Sequence, residues 1–224
     1  MINTYNETSL HETLKHSYCD HGGAVEVPLD GVICDVIRSD GKIVEVQTSG
    51  FGQIKKKLEN LLLVNKIELV HPIAVNLIIE TYSADRTLIS RRKSPKHGNV
   101  FQLFNELTGI YTLLSHPNLT VTGVFTDVSE TRIQDGTGSW RRKGVRIENR
   151  KLITIHEKRS FSGLDDFKAL IPDTLPSPFT VSDLKKAGAG KHAGKMAWVL
   201  RKCGCIIHTG KRGNAFLYEV SPDK

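Results

Sequence analysis

Val32-Ile33-Cys34-Asp35-Val36-Ile37-Arg38-Ser39-Asp40-Gly41-Lys42-Ile43-Val44-Glu45-Val46-Gln47 reads as two apolar strands joined by a turn. How the turn is made decides which side chains meet. A two-residue Asp40-Gly41 turn pairs Ser39 with Lys42 and leaves Asp35 and Glu45 facing apart. A three-residue Ser39-Asp40-Gly41 loop, with Gly41 left-handed, pairs Arg38 with Lys42 and sets Asp35 opposite Glu45. Side chains alternate along a strand. In the second register Asp35, Glu45 and Gln47 therefore share one face, and Cys34, Val36, Val44 and Val46 share the other. This register separates polar from apolar and is the one expected here.

Outward from the hairpin, the preceding segment predicts a helix over 10–18. Leu10, Leu14 and Tyr18 form a stripe, and Ser9 with Glu12 has capping-box spacing. A strand over 24–28 follows the Gly22-Gly23 break. After the hairpin come an amphipathic helix over 51–63 and strands over 67–71 and 76–81. The front half thus reads α-β-β-β-α-β-β, a mixed sheet with helices packed on it. From Ser90 the texture becomes basic. Residues 90–98 read as a charged loop, 99–115 as a helix, and 119–128 and 145–157 as strands. Between these strands lies a glycine-rich loop carrying Trp140, Arg141 and Arg142. Beyond the prolines of 172–178, helices are expected over 181–187 and 191–202, and strands over 206–209 and 215–220.

The 224 residues fit one medium and one small domain. No apolar run reaches the roughly 18 residues of a membrane span, and the first residues lack a signal-peptide pattern. Four cysteines without metal-ligand spacing suit reduced thiols, so a cytoplasmic location is expected. Residues 1–81 hold 7 basic against 11 acidic side chains, and the remainder 24 against 13. An acidic front and a basic back suit a protein that holds a cation in one place and a polyanion in another.

Residues 9–71, with Asp35, the Glu45-Val46-Gln47 triplet and a glutamate on the first helix, resemble the PD-(D/E)XK nuclease superfamily, especially its small resolvase-like members. The resemblance implies an α/β, restriction-endonuclease-like domain over 1–162 that hydrolyses DNA phosphodiesters with Mg²⁺, or Mn²⁺ in its place. It implies that Asp35, Glu45 and the main chain of Val46 ligate the metal, with Glu12 joining through water, and that Gln47 positions the attacking water. Two positions depart from the pattern: Cys34 stands where a proline is usual, and Gln47 where a lysine is usual. Lysine brings a positive charge, whereas glutamine offers only hydrogen bonds. A DNA-binding descendant without catalysis is therefore the alternative.

Residues 163–224 resemble a winged helix. That resemblance implies DNA contact by Lys191, His192 and Lys195 on the second helix of the helix-turn-helix, and by Lys211 and Arg212 at the wing tip. Winged helices also dock proteins, which leaves a scaffold as a third reading. Arg141 and Arg142 are expected to touch DNA backbone from their loop. Because this superfamily commonly cuts duplexes as dimers, a homodimer is a further expectation.

Overall fold

The computed structural model describes residues 9–222. It is a mixed α/β protein with a large mixed sheet flanked by helices. The first helix, α1 (Ser9–Tyr18), precedes three strands, β1 (Ala24–Leu29), β2 (Val32–Ile37) and β3 (Ile43–Val46). Helix α2 (Lys55–Leu61) leads to β4 (Ile67–Ser83) and β5 (Leu88–Lys93). Helix α3 (Leu103–Leu107) is followed by the long strands β6 (Leu119–Gln134) and β7 (Val145–Ser162). The chain ends in α4 (Leu164–Lys168), α5 (Val181–Leu184), α6 (Ala193–Lys202), β8 (Ile206–Arg212) and β9 (Ala215–Val220). The seven-stranded sheet runs β1-β2-β3-β4-β6-β7, with β5 paired to β4; β8 and β9 form a hairpin of their own.

The chain divides into two compact units: residues 1–48, 70–99 and 123–159, and residues 49–69, 100–122 and 160–224. In the first, the apolar stripe of α1 decides the packing. Leu10, Leu14 and Tyr18 are buried in one core with Val36, Val44, Val46 and Val70. This is the valine face expected from the hairpin. The Ser39-Asp40-Gly41 loop is also as expected: the Arg38 N–H donates to the Lys42 carbonyl at 3.0 Å, and Gly41 has φ 78°. A side chain at position 41 would strain that turn, because only glycine enters the left-handed region without cost.

Two expectations fail within this unit, each for a local reason. Residues 67–71 and 76–81 are not separate strands. They are parts of the single strand β4, which runs through Pro72 without a break. The start of the basic stretch 90–98 is not loop but strand. Ser90 pairs with Thr81, Arg91 with Glu80 and Arg92 with Ile79, and the Arg91 guanidinium donates to Glu80 at 3.0 Å. All six residues of β5 are exposed. Its basic character therefore reflects an edge open to solvent rather than irregular backbone.

In the second unit the core gathers Leu103, Phe104, Phe161, Phe167, Met196 and Leu200. Phe161 stacks on Phe167 with ring centroids 5.1 Å apart. The helix expected over 99–115 is broken into α3 flanked by 3-10 turns. Gly109 accounts for the break, since a Cβ there would stand 2.5 Å from the Gly52 nitrogen. The backbones meet too closely for any side chain. Thr180 and Asp183 make a capping box at the start of α5. Phe179 pairs with Tyr218 of β9 in an isolated antiparallel bridge beside the β8–β9 hairpin.

Candidate functional site

The β2–β3 ladder begins at Ile37 and Ile43, continues through Val36 and Val44, and goes no further. At the next position the register sets Asp35 opposite Glu45. The Val46 N–H donates to Asp35 Oδ2 at 2.8 Å, and the Asp35 N–H lies 3.4 Å from Glu45 Oε1. Each acid thus reaches the main chain of the opposite strand. Glu45 is only 3% exposed. Such burial of a carboxylate is unfavourable unless donors or a cation meet it.

The β1–β2 register extends the row. Val25 pairs with Val36 and Val27 with Cys34, so Glu26 stands opposite Asp35. The three acids thus come from three neighbouring strands. Glu26 has φ 53°, a left-handed conformation inside a strand. For a residue with a Cβ this costs on the order of 1 kcal/mol, and strain of this kind collects at functional sites.

Helix α1 closes over this row, although the residue it contributes is not the one expected. Glu12 points to solvent. Its neighbour His11 turns inward, with Nε2 at 2.6 Å from the Val46 carbonyl oxygen and 3.5 Å from Asp35 Oδ2. A carbonyl only accepts, so the proton of the neutral ring sits on Nε2. One turn on, Lys15 places its ammonium 2.8 Å from Glu26 Oε1. That ion pair draws the Glu26 carboxyl below the usual carboxylate range; the Asp35 charge opposes this and His11 aids it. Asparagine 149 of β7 holds the start of α1, accepting from the Ser9 N–H at 3.0 Å and donating to its hydroxyl at 2.8 Å.

Gln47 is fixed through its main chain. Its N–H donates to the Val70 carbonyl at 2.8 Å, and its carbonyl meets Nδ1 of buried His71 at 2.8 Å. His71 is thereby occupied in joining the end of β3 to β4, a structural role. Among the described residues no three His, Cys, Asp or Glu side chains form a group that could hold a metal ion. A cation here would rest on two carboxylates and the Val46 carbonyl. Mg²⁺ accepts so few protein oxygens because it keeps several waters, and the hard oxygen donors fit it or Mn²⁺.

The expected nucleic-acid contacts divide. Lys191 and Lys195 are exposed; Lys195, Trp198 and Lys202 recur at helical spacing along α6, and Lys191 lies in the 3-10 turn just before it. Trp198 is 41% exposed, with its ring edge-to-face on Tyr111 and the Lys202 ammonium 5.8 Å above it. Sequence reading missed this indole, although its spacing from Lys191 and Lys195 was visible. His192 is turned the other way: it is buried, with Nδ1 2.8 Å from the Asn105 amide nitrogen. Burial and the charges of Lys191 and Lys195 lower its pKa, which favours the neutral ring.

Lys211 and Arg212 lie exposed at the tip of the β8–β9 hairpin, with Arg212 3.8 Å from Asp183. Arg141 and Arg142 are exposed in the β6–β7 loop, where the Arg141 guanidinium lies 5.5 Å from the ring centre of Trp140, itself 82% exposed. The loop is tightly wound: a Cβ on Gly138 would stand 2.1 Å from the Val145 carbonyl. Asp135 braces it, accepting from Thr137 and Arg146, which hold its carboxyl at about 2. The cysteines are free thiols. Burial pushes the Cys203 thiol up to about 12, so it is no nucleophile at neutral pH.

Residues 8–162 match the family described as a domain of unknown function (DUF8091), and the chain belongs to it. An uncharacterized protein of Treponema pallidum (strain Nichols) is 36% identical over 221 residues, which cover 99% of this chain and 88% of that protein. No solved structure matches.

Proposed function

We propose that the protein is a metal-dependent DNA endonuclease of PD-(D/E)XK type, with a restriction-endonuclease-like first domain and a C-terminal winged helix that holds DNA. The observation that carries this reading is the meeting of Asp35 and Glu45 between β2 and β3, each carboxylate on the main chain of the other strand beside the Val46 carbonyl. Two carboxylates and a carbonyl on adjacent strands are what a phosphodiesterase needs to seat Mg²⁺. A divalent cation bound there supplies an activated water and neutralises charge on the phosphate.

The chain's own residues supply the rest. Asp35, Glu45 and the Val46 carbonyl would hold the ion. His11 fixes that carbonyl from one side. The Gln47 amide follows Glu45 by two residues and can orient a water by hydrogen bonding, without adding charge. The order α4, the Phe179 bridge, α5, α6 and the β8–β9 hairpin supports the winged-helix reading. In it, α6 and the turn before it offer Lys195, Trp198 and Lys191 to DNA, while Lys211 and Arg212 sit at the wing tip. Plasmid, branched and single-stranded DNA incubated with Mg²⁺ or Mn²⁺ tests the activity. Nicking or linearisation of at least one substrate is expected, and intact DNA throughout counts against it.

A second reading, DNA binding without cleavage, draws on Gln47 and on the absence of a three-side-chain metal group among the described residues. It expects DNA affinity that is indifferent to metal and to the loss of Asp35. In both readings, Lys191→Glu with Lys195→Glu weakens duplex binding across sequences. The double variant is expected to flatten the dependence of log K on log salt by about 2, since each phosphate contact contributes about 0.9. Fluorescence anisotropy at several NaCl concentrations measures this. An unchanged slope would remove α6 from the interface.

A further inference from the structure

Lys15 is 3% exposed. Leaving an ammonium so deeply buried is costly, and a fixed position beside acids is what offsets the cost. Its place follows from three registers. It lies one helical turn beyond His11, whose ring stands 3.5 Å from Asp35. Its partner Glu26, 2.8 Å away, occupies the register position opposite Asp35, between the Val25–Val36 and Val27–Cys34 pairs. The Asp35 N–H in turn lies 3.4 Å from Glu45 Oε1. The strained backbone of Glu26 lies at the point where its carboxylate reaches the helix.

We propose that Lys15 is the fixed positive charge of the active site, delivered from α1 and held in place by Glu26, and that it does the work Gln47 cannot. This inference rests on the nuclease reading. Its content is that one cation, placed from the helix rather than from β3, stands against the charge that develops on the phosphate during hydrolysis. Preorganised charge in a water-poor site is among the largest contributions to such catalysis. Glu26 acts as a positioning residue: half exposed and paired to Lys15, it aims the ammonium without touching the phosphate itself.

The test compares wild type with Lys15→Met, Lys15→Arg and the double variant Lys15→Met with Gln47→Lys. Methionine keeps the volume and apolar stem of lysine, and circular dichroism with thermal melting establishes that each variant folds. Cleavage by Lys15→Met is expected to fall at least about 100-fold, the scale of losing one transition-state charge partner. Mn²⁺ affinity, read by electron paramagnetic resonance, should stay within about threefold. Lys15→Arg should retain part of the rate. The double variant should recover at least about tenfold over Lys15→Met, which a merely structural role would not produce.

Undiminished cleavage by folded Lys15→Met, or no gain from Gln47→Lys, overturns the assignment while leaving the nuclease reading in place. A wild type that neither binds Mn²⁺ nor cuts DNA overturns both. A metal-free readout adds a separate check. The salt dependence of oligonucleotide binding should be shallower in Lys15→Met than in wild type, and an identical dependence counts against contact with phosphate.

Discussion

Asp35→Ala is expected to reduce Mg²⁺-dependent DNA cleavage by at least about 1,000-fold, equivalent to roughly 4 kcal/mol of transition-state stabilisation. Removing the carboxylate takes away one of the two acids proposed to hold the cation and also leaves the Val46 N–H without the acceptor that lies 2.8 Å away. The second loss costs about 1–3 kcal/mol of stability, so an inactive alanine variant could simply be misfolded. Asp35→Asn separates the effects. Its amide oxygen still accepts from Val46, so stability should stay near wild type while cleavage falls with the lost charge. Conversion of supercoiled plasmid, read beside a thermal melt of each variant, measures both. Asp35→Asn that melts like wild type and still cuts would remove Asp35 from the chemistry.

The second large effect is on stability. Leu14 is fully buried in the α1 stripe, packed in one core with Val36, Val44, Val46 and Val70. Leu14→Ala removes its apolar contacts and leaves a cavity, at a cost of about 3 kcal/mol. For a chain of this size that corresponds to a fall in Tm of roughly 6–12 °C. His11 and Lys15 flank this position on the same helix. A loosened α1 should therefore also depress activity below the melting range, more than an equally destabilising change elsewhere. Phe167→Leu, in the aromatic core of the second unit, is the comparison; equal activity per folded molecule in the two variants would uncouple α1 from the site.

Legibility in the sequence followed the reach of the interactions. The hairpin register could be read because Gly41 and the polar and apolar alternation on either side of a three-residue turn constrain a local structure. The stripe of α1 could be read because a period of four needs no partner to be visible. His11 and Lys15 could not, since their roles depend on where α1 lands against β1 and β2. Glu12 was expected in their stead because the resemblance implies a glutamate on the first helix, whereas its distance from Ser9 pointed only to a cap. His192 illustrates the reverse error: a polar residue in a basic helix start looked outward, and Asn105, 87 positions away, holds it inward. The break at Gly109 was equally hidden, because the approach of Gly52 is not written near it. The charged stretch 90–93 looked like loop because charge was read as irregularity, while Glu80 was ready to pair with Arg91 across a ladder.

That ladder has a consequence for association. Strand β5 pairs with β4 and exposes all six of its residues, among them the apolar Leu88 and Ile89. An open strand carrying aliphatic side chains is the usual starting point for chain-to-chain polymerisation. Here Arg91, Arg92 and Lys93 continue the same strand. A second copy docking edge to edge would bring cations against cations, and like charges across a ladder repel. The edge thus guards against filament growth by its own kind, and the same three cations leave it attractive to a polyanion.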